Sequence, residues 1–243
     1  LLIPPDFTRM HSGGGRITAL YYEMLRDRCH VDIMPALGTH EPMTTSEIRE
    51  FFGPHVPQDV FIVHNWRNDV VRIGQVPADY VRDVSEGLIC DPIDVEVNRR
   101  IIDGSYDLII SIGQVVPHEV VGMANYSKNI FVGCGGSSMI SQSHMLGAFY
   151  GLERIMGRDH SPVRKVFDYA QEHFLKGIPL IYVLTVTTQS EGRTVIHGLF
   201  AGSSRIVFEE AVALSRQKNI IFVDEPLKKW SFIWMRKSSK APG

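Results

Sequence analysis

The chain has 243 residues, 44% of them hydrophobic, enough for a real core in one large α/β domain or two small ones. Its net charge of −2, from 25 basic and 27 acidic residues, argues against a polyanionic partner such as nucleic acid. Cys29, Cys90 and Cys134 share no paired spacing, no apolar run reaches the ~20 residues of a bilayer span, and no signal-peptide pattern is present, so disulfide scaffolds, cysteine zinc sites and membrane spans are disfavoured.

In chain order, an apolar start leads into Pro5-Asp6-Phe7-Thr8-Arg9, then Ser12-Gly13-Gly14-Gly15 and a helix predicted over 17–28. Glycines ahead of a helix N-terminus can leave backbone N–H groups free for an anion, and Arg9 can fork onto a carboxylate or phosphate. The same pattern also fits an ordinary strand-to-helix turn with a solvated arginine, and no Gly-Lys-Ser/Thr follows to make it a Walker loop. Gly38-Thr39-His40-Glu41-Pro42-Met43 comes next. His40 is there either for proton transfer or as an exposed residue of a capped turn. Thr44 and Glu47 form a capping box that starts a helix over 45–52.

A strand is predicted over 60–63, a helix over 95–102 and a strand over 108–112. Beyond them lie Pro117-His118, Lys128 and His144, ten and then sixteen positions apart, with Gly133-Cys134-Gly135-Gly136 between the last two. Such glycines let backbone approach a ligand, histidine suits nickel, and lysine can carry a covalent link. With ten histidines in the chain, a cluster like this also arises by chance. A helix over 162–175, a strand over 180–184, a helix over 206–216 and a strand over 220–223 complete the pattern. Strands spaced by helices imply a doubly wound, mostly parallel sheet flanked by helices, with ligands beyond the carboxyl ends of the strands. Structural roles are expected for His64 and Cys134, and surface or packing roles for His160, His173 and His197.

These segments resemble the lactate racemase family. Asp6-Phe7-Thr8-Arg9 is similar to its Asp-x-Thr-Arg motif, and Thr39-His40-Glu41-Pro42 to its Thr-His-x-Pro segment. Pro117-His118, Lys128 and His144 reproduce its Pro-His, Lys, His series at the family's spacing. The resemblance runs from about residue 1 to 229 and implies the N-terminal catalytic domain of a two-domain enzyme, incomplete at its start and without its C-terminal domain. It further implies a nickel-pincer nucleotide (pyridinium-3-thioamide-5-thiocarboxylic acid mononucleotide with Ni2+) joined to Lys128, with His144 ligating the metal. His40 and His118 would be acid/base groups on opposite faces of a 2-hydroxy acid, Arg9 would hold the substrate carboxylate, and Asp6 and Thr8 would sit near the cofactor. Cofactor-synthesis proteins would be partners, nucleic acid and membrane would not, and the protein would be cytoplasmic.

One departure lies before the lysine. The family often shows Gly-Phe-Ser-Gly-Gly-Arg-Lys, whereas this chain has Gly122-Met123-Ala124-Asn125-Tyr126-Ser127-Lys128. Bulkier residues there are expected to reshape the pocket, leaving lactate and related 2-hydroxy acids open as substrates. The end of the chain differs as well: residues 230–243 hold two of the three tryptophans and no acidic residue. They read either as a basic tail for a membrane or partner or, restoring one adenine in the Lys228-Lys229 codons, as an out-of-frame product. In the restored frame an apolar strand runs into an acidic helix start. The leading functional expectation is a nickel-dependent racemase or epimerase, inactive as a fragment. The alternatives are a non-catalytic nucleotide-binding α/β module and, weakly since no His-rich tract exists, a metal store.

Overall fold

The computed structural model describes residues 1–221, so the sequence-predicted tail lies outside the described residues. The elements in chain order are β1 (Leu2–Ile3), α1 (Gly14–Leu25), α2 (Thr45–Phe52), β2 (Val70–Val76), α3 (Ala78–Val84), β3 (Ile93–Asn98), β4 (Ile109–Gln114), β5 (Pro117–His118) and β6 (Gly122–Met123). They continue with α4 (Ser127–Phe131), α5 (Ser137–Tyr150), α6 (Leu152–Ile155), α7 (Pro162–Phe174), β7 (Leu180–Ser190), β8 (Arg193–Gly202) and α8 (Arg205–Asn219).

The main sheet runs β1-β4-β7-β8, parallel except for β8, which returns antiparallel along β7. Parallel bridges from Leu2 to Ile33 and from Ile33 to Phe61 extend it beyond β1. Side chains alternate across the sheet with the period of two that strands impose. Leu2, Ile110, Ile112 and Val183 pack with Tyr22 of α1 and Ile48, Phe51 and Phe52 of α2 on one face. Ile3, Ile109, Tyr182 and Leu184 pack with Phe131, Met139, Phe167 and Phe208 of the helices on the other. Both faces are therefore covered, and the fold is the α/β architecture read from the sequence. Among the described residues no helix is long and apolar enough to cross a membrane.

Local signals explain several boundaries. Thr44 and Glu47 complete the capping box of α2, and Ser161 caps α7, with Pro162 in its first turn. Three expectations need correcting. Residues 95–102 are not one helix: β3 pairs antiparallel with β2 up to Asn98, the buried alternation of Ile93, Val95 and Val97 is a strand signal, and only Arg99–Ile101 form a 3-10 turn. The strand over 60–63 shrinks to one bridge at Phe61, because a 3-10 turn (Gln58–Val60) precedes it. Ile220 and Ile221 follow α8 outside any strand, and 222–223 lie outside the described residues.

Candidate active site

One cleft of about 230 Å3 opens beyond the carboxyl ends of β1 and β4. Asp6, Thr8, Arg9, His40, His118, Lys128 and His144 all line it, so the structure brings together every site residue read from the sequence. They come from separate places: the 3-10 turn after β1, the loop before α2, the small β5–β6 hairpin, and helices α4 and α5.

Asp6 is buried, and its carboxylate is the hub of the first segment. Oδ1 accepts from the Thr8 backbone N–H at 3.2 Å and from the Thr8 hydroxyl at 2.5 Å, while Oδ2 accepts from His40 Nδ1 at 2.5 Å. A carboxylate on Nδ1 fixes the imidazole tautomer and leaves Nε2 with a lone pair, the state of a proton acceptor. Asp6 and Thr8 thus position His40. Sequence spacing gives no sign of this contact, which joins residues 34 apart.

His118 is set up in the opposite sense. It is buried, and its Nδ1 accepts the Val120 backbone N–H at 3.1 Å, so the ring hydrogen must sit on Nε2. Burial, assisted by the Lys128 and Arg9 cations, pushes its pKa down to about 2. The ring is consequently neutral, and the 3.6 Å approach of Glu119 to Nδ1 is not an ion pair. His40 offers an acceptor and His118 a donor.

Lys128 is half-buried, and among the described residues its amine makes no hydrogen bond or ion pair. Burial, reinforced by Arg9 and opposed by Glu119, draws its pKa down to about 8. His144 projects from α5 with Nδ1 2.7 Å from the Ile140 carbonyl oxygen. A neutral ring donates there, leaving the Nε2 lone pair for a metal, the usual arrangement of a ligating histidine. Among the described residues no three His, Cys, Asp or Glu side chains form a metal-binding group. A metal here would take its remaining ligands from elsewhere, such as the sulfur-bearing cofactor that the resemblance implies. The amine, the oriented imidazole and the Arg9 fork, whose guanidinium makes no hydrogen bond or ion pair among the described residues, fit that group chemically.

The glycine segments behave differently from one another. Gly13-Gly14-Gly15 is absent from the cleft lining. A Cβ on Gly15 would fall 2.1 Å from the Phe51 carbonyl oxygen, and one on Gly14 2.8 Å from Pro5, so these glycines let α1 pack against α2 and the segment after β1 and make no anion cradle. Gly133 does reach the cleft, and the segment behind it is pinned by His64, which donates from Nε2 to the Gly135 carbonyl and accepts from Asn98 at Nδ1. His64 is structural, and Cys134 is a buried packing thiol whose pKa burial raises. The residues replacing the family's glycines also part company. Asn125 lines the cleft, whereas Tyr126 turns into the core, stacked on Phe208 at 5.1 Å. Of the residues that differ from the family's run, only Ala124 and Asn125 line the cleft. Gln114 and Glu119 were missed by sequence reasoning, although the first lies at the end of a strand and the second beside His118.

The fold matches solved structures that are longer. A Thermotoga maritima protein is 24% identical with a TM-score of 0.83, covering 94% of this chain and 56% of its own. The lactate racemase apoprotein from Thermoanaerobacterium thermosaccharolyticum is 22% identical with a TM-score of 0.69, covering 88% of this chain and 48% of its own. This chain spans about half the length of either. No curated protein sequence matches it. Residues 1–154 match the lactate racemase N-terminal domain model, which is most of the chain, and the protein therefore belongs to that family.

Proposed function

We propose that this domain is the cofactor-bearing half of a nickel-dependent racemase or epimerase of lactate or a related 2-hydroxy acid. The observation that carries the reading is the cleft itself: an unpaired lysine, an oriented imidazole and two histidines of opposite tautomer face one space. Lys128 would hold the nickel-pincer nucleotide and His144 its metal; when bound, that group supplies the hydride-accepting centre. Arg9 binds the substrate carboxylate as a bidentate fork. His40 Nε2 takes the hydroxyl proton, and Asp6 stabilises the resulting imidazolium. His118 Nε2–H donates to the substrate oxygen from the buried side.

Co-expression with the cofactor-synthesis enzymes tests this, followed by intact-mass and peptide spectrometry and nickel quantification. The expected result is a mass adduct on Lys128 and bound nickel at about one per chain, both lost in Lys128→Ala. Unmodified Lys128 with no nickel would leave a non-catalytic nucleotide-binding α/β module as the better reading.

A further inference from the structure

The turn that delivers Lys128 is built under strain. Asn125 and Tyr126, neither of them glycine, sit in the left-handed region at φ 63° and 56°, directly before α4. Each such residue costs about 1 kcal/mol and persists only where its surroundings over-determine it. What surrounds this turn is Arg164 of α7, fully buried. Its guanidinium donates to the Ser127 hydroxyl at 2.7 Å, to the Met123 carbonyl at 2.6 Å and to the Asn125 carbonyl at 3.1 Å, and it lies 4.5 Å over the Phe208 ring. No carboxylate pairs with it directly among the described residues, because the nearby Asp168 pairs with Arg205. Arg164 Nε has no partner at all there.

A buried cation with an unsatisfied N–H is a poor device for stability alone, since an apolar side chain of the same size fills such a site at less expense. All three of its acceptors belong to the segment that ends at Lys128. We propose that Arg164 is the positioning residue for Lys128, clamping the strained 123–127 turn so that the amine is held at the cleft and kept next to a second buried positive charge. The charges facing Lys128 are Arg9 from the turn after β1, Arg164 from α7, Glu119 from the β5–β6 hairpin and Asp6, and the two arginines favour the neutral, nucleophilic amine. This rests on the reading of Lys128 as the reactive lysine.

Competitive acylation with acetic anhydride across pH 6–10, read by peptide mass spectrometry with exposed Lys176 as internal reference, tests both layers. In the wild-type chain the Lys128 labelling midpoint should lie below that of Lys176. A Lys128 that titrates like Lys176 overturns the reading of Lys128 itself, whatever Arg164 does. In Arg164→Met, with circular dichroism unchanged, the midpoint should rise and Lys128 labelling at pH 7.5 should slow at least fivefold. Arg164→Lys, which keeps the charge, should stay within twofold of wild type. A folded Arg164→Met with the wild-type profile overturns the proposal. If Arg164→Met does not fold, Ser127→Ala removes one anchoring oxygen: slower labelling of Lys128 supports the clamp, and an unchanged profile overturns it.

Discussion

The turn before α1 and the turn before α4 both make the chain reverse into a helix beside β-structure, and they do it in opposite ways. The first uses glycine at the position that needs it, Gly13 at φ 74°, and follows it with Gly14 and Gly15, which vanish into packing. The second puts Asn125 and Tyr126 at positive φ and holds them with a buried arginine. Relaxed glycine turns serve the scaffold here, and the strained turn fronts the cleft, as expected when backbone strain is stored where a side chain must be aimed.

The contrast can be broken by experiment. The largest effect should come from Gly15→Ala, whose Cβ meets a backbone oxygen that cannot rotate away. About 3 kcal/mol of stability should be lost in urea unfolding, with the Lys128 labelling profile of the remaining native protein unchanged. A loss below ~1 kcal/mol would show the α1–α2 packing to be softer than drawn. Next comes acid. Burial lowers the pKa of His118 to about 2, so its ring is neutral when folded, and shifts that of His64 in the same direction. The unfolded pKa of histidine is ~6.5, so the unfolded chain binds more protons below that value and stability falls as pH drops, by up to ~1.4 kcal/mol per pH unit for the His118 ring. His118→Asn, which keeps an acceptor for the Val120 N–H, should flatten this slope between pH 6.5 and 4.5; an unchanged slope would mean His118 is not buried neutral. The smallest effect is expected at Gly13. Gly13→Ala should cost about 1 kcal/mol and Gly13→Asn less, since asparagine tolerates the left-handed region, as Asn125 does; equal losses by thermal melting would point to the 3.3 Å approach of Ile196 and not to φ.

The elements legible in the sequence are those with local chemistry to mark them. The capping box set α2 at Thr45–Phe52, and Pro162 set the start of α7. The β2–β3 pair was not legible, because the apolar residues of β3 run on into Ile101 and Ile102 and imitate a helical spacing. Nor was β8, whose residues are largely exposed and so lack the one-sided apolar alternation that betrays a strand. Helix α5 carries glycine, serines and methionines all round, with little polar-apolar contrast to set its period. At the site, the identities of His40, His118, Lys128 and His144 came from their resemblance to a family. Which ring nitrogen faces the cleft could not, because that is decided by Asp6, the Val120 N–H and the Ile140 carbonyl, contacts set by how the loops fold back.

The opposed hydrogen placement on His40 and His118 has a consequence for handed molecules. A ligand whose hydroxyl lies on the His40 side meets a ring able to take its hydrogen at once. Its mirror image would turn that hydroxyl toward a ring nitrogen already occupied by hydrogen, which offers the transfer no destination on that side. On the function proposed above, a site assembled this way would begin each cycle with a favoured enantiomer.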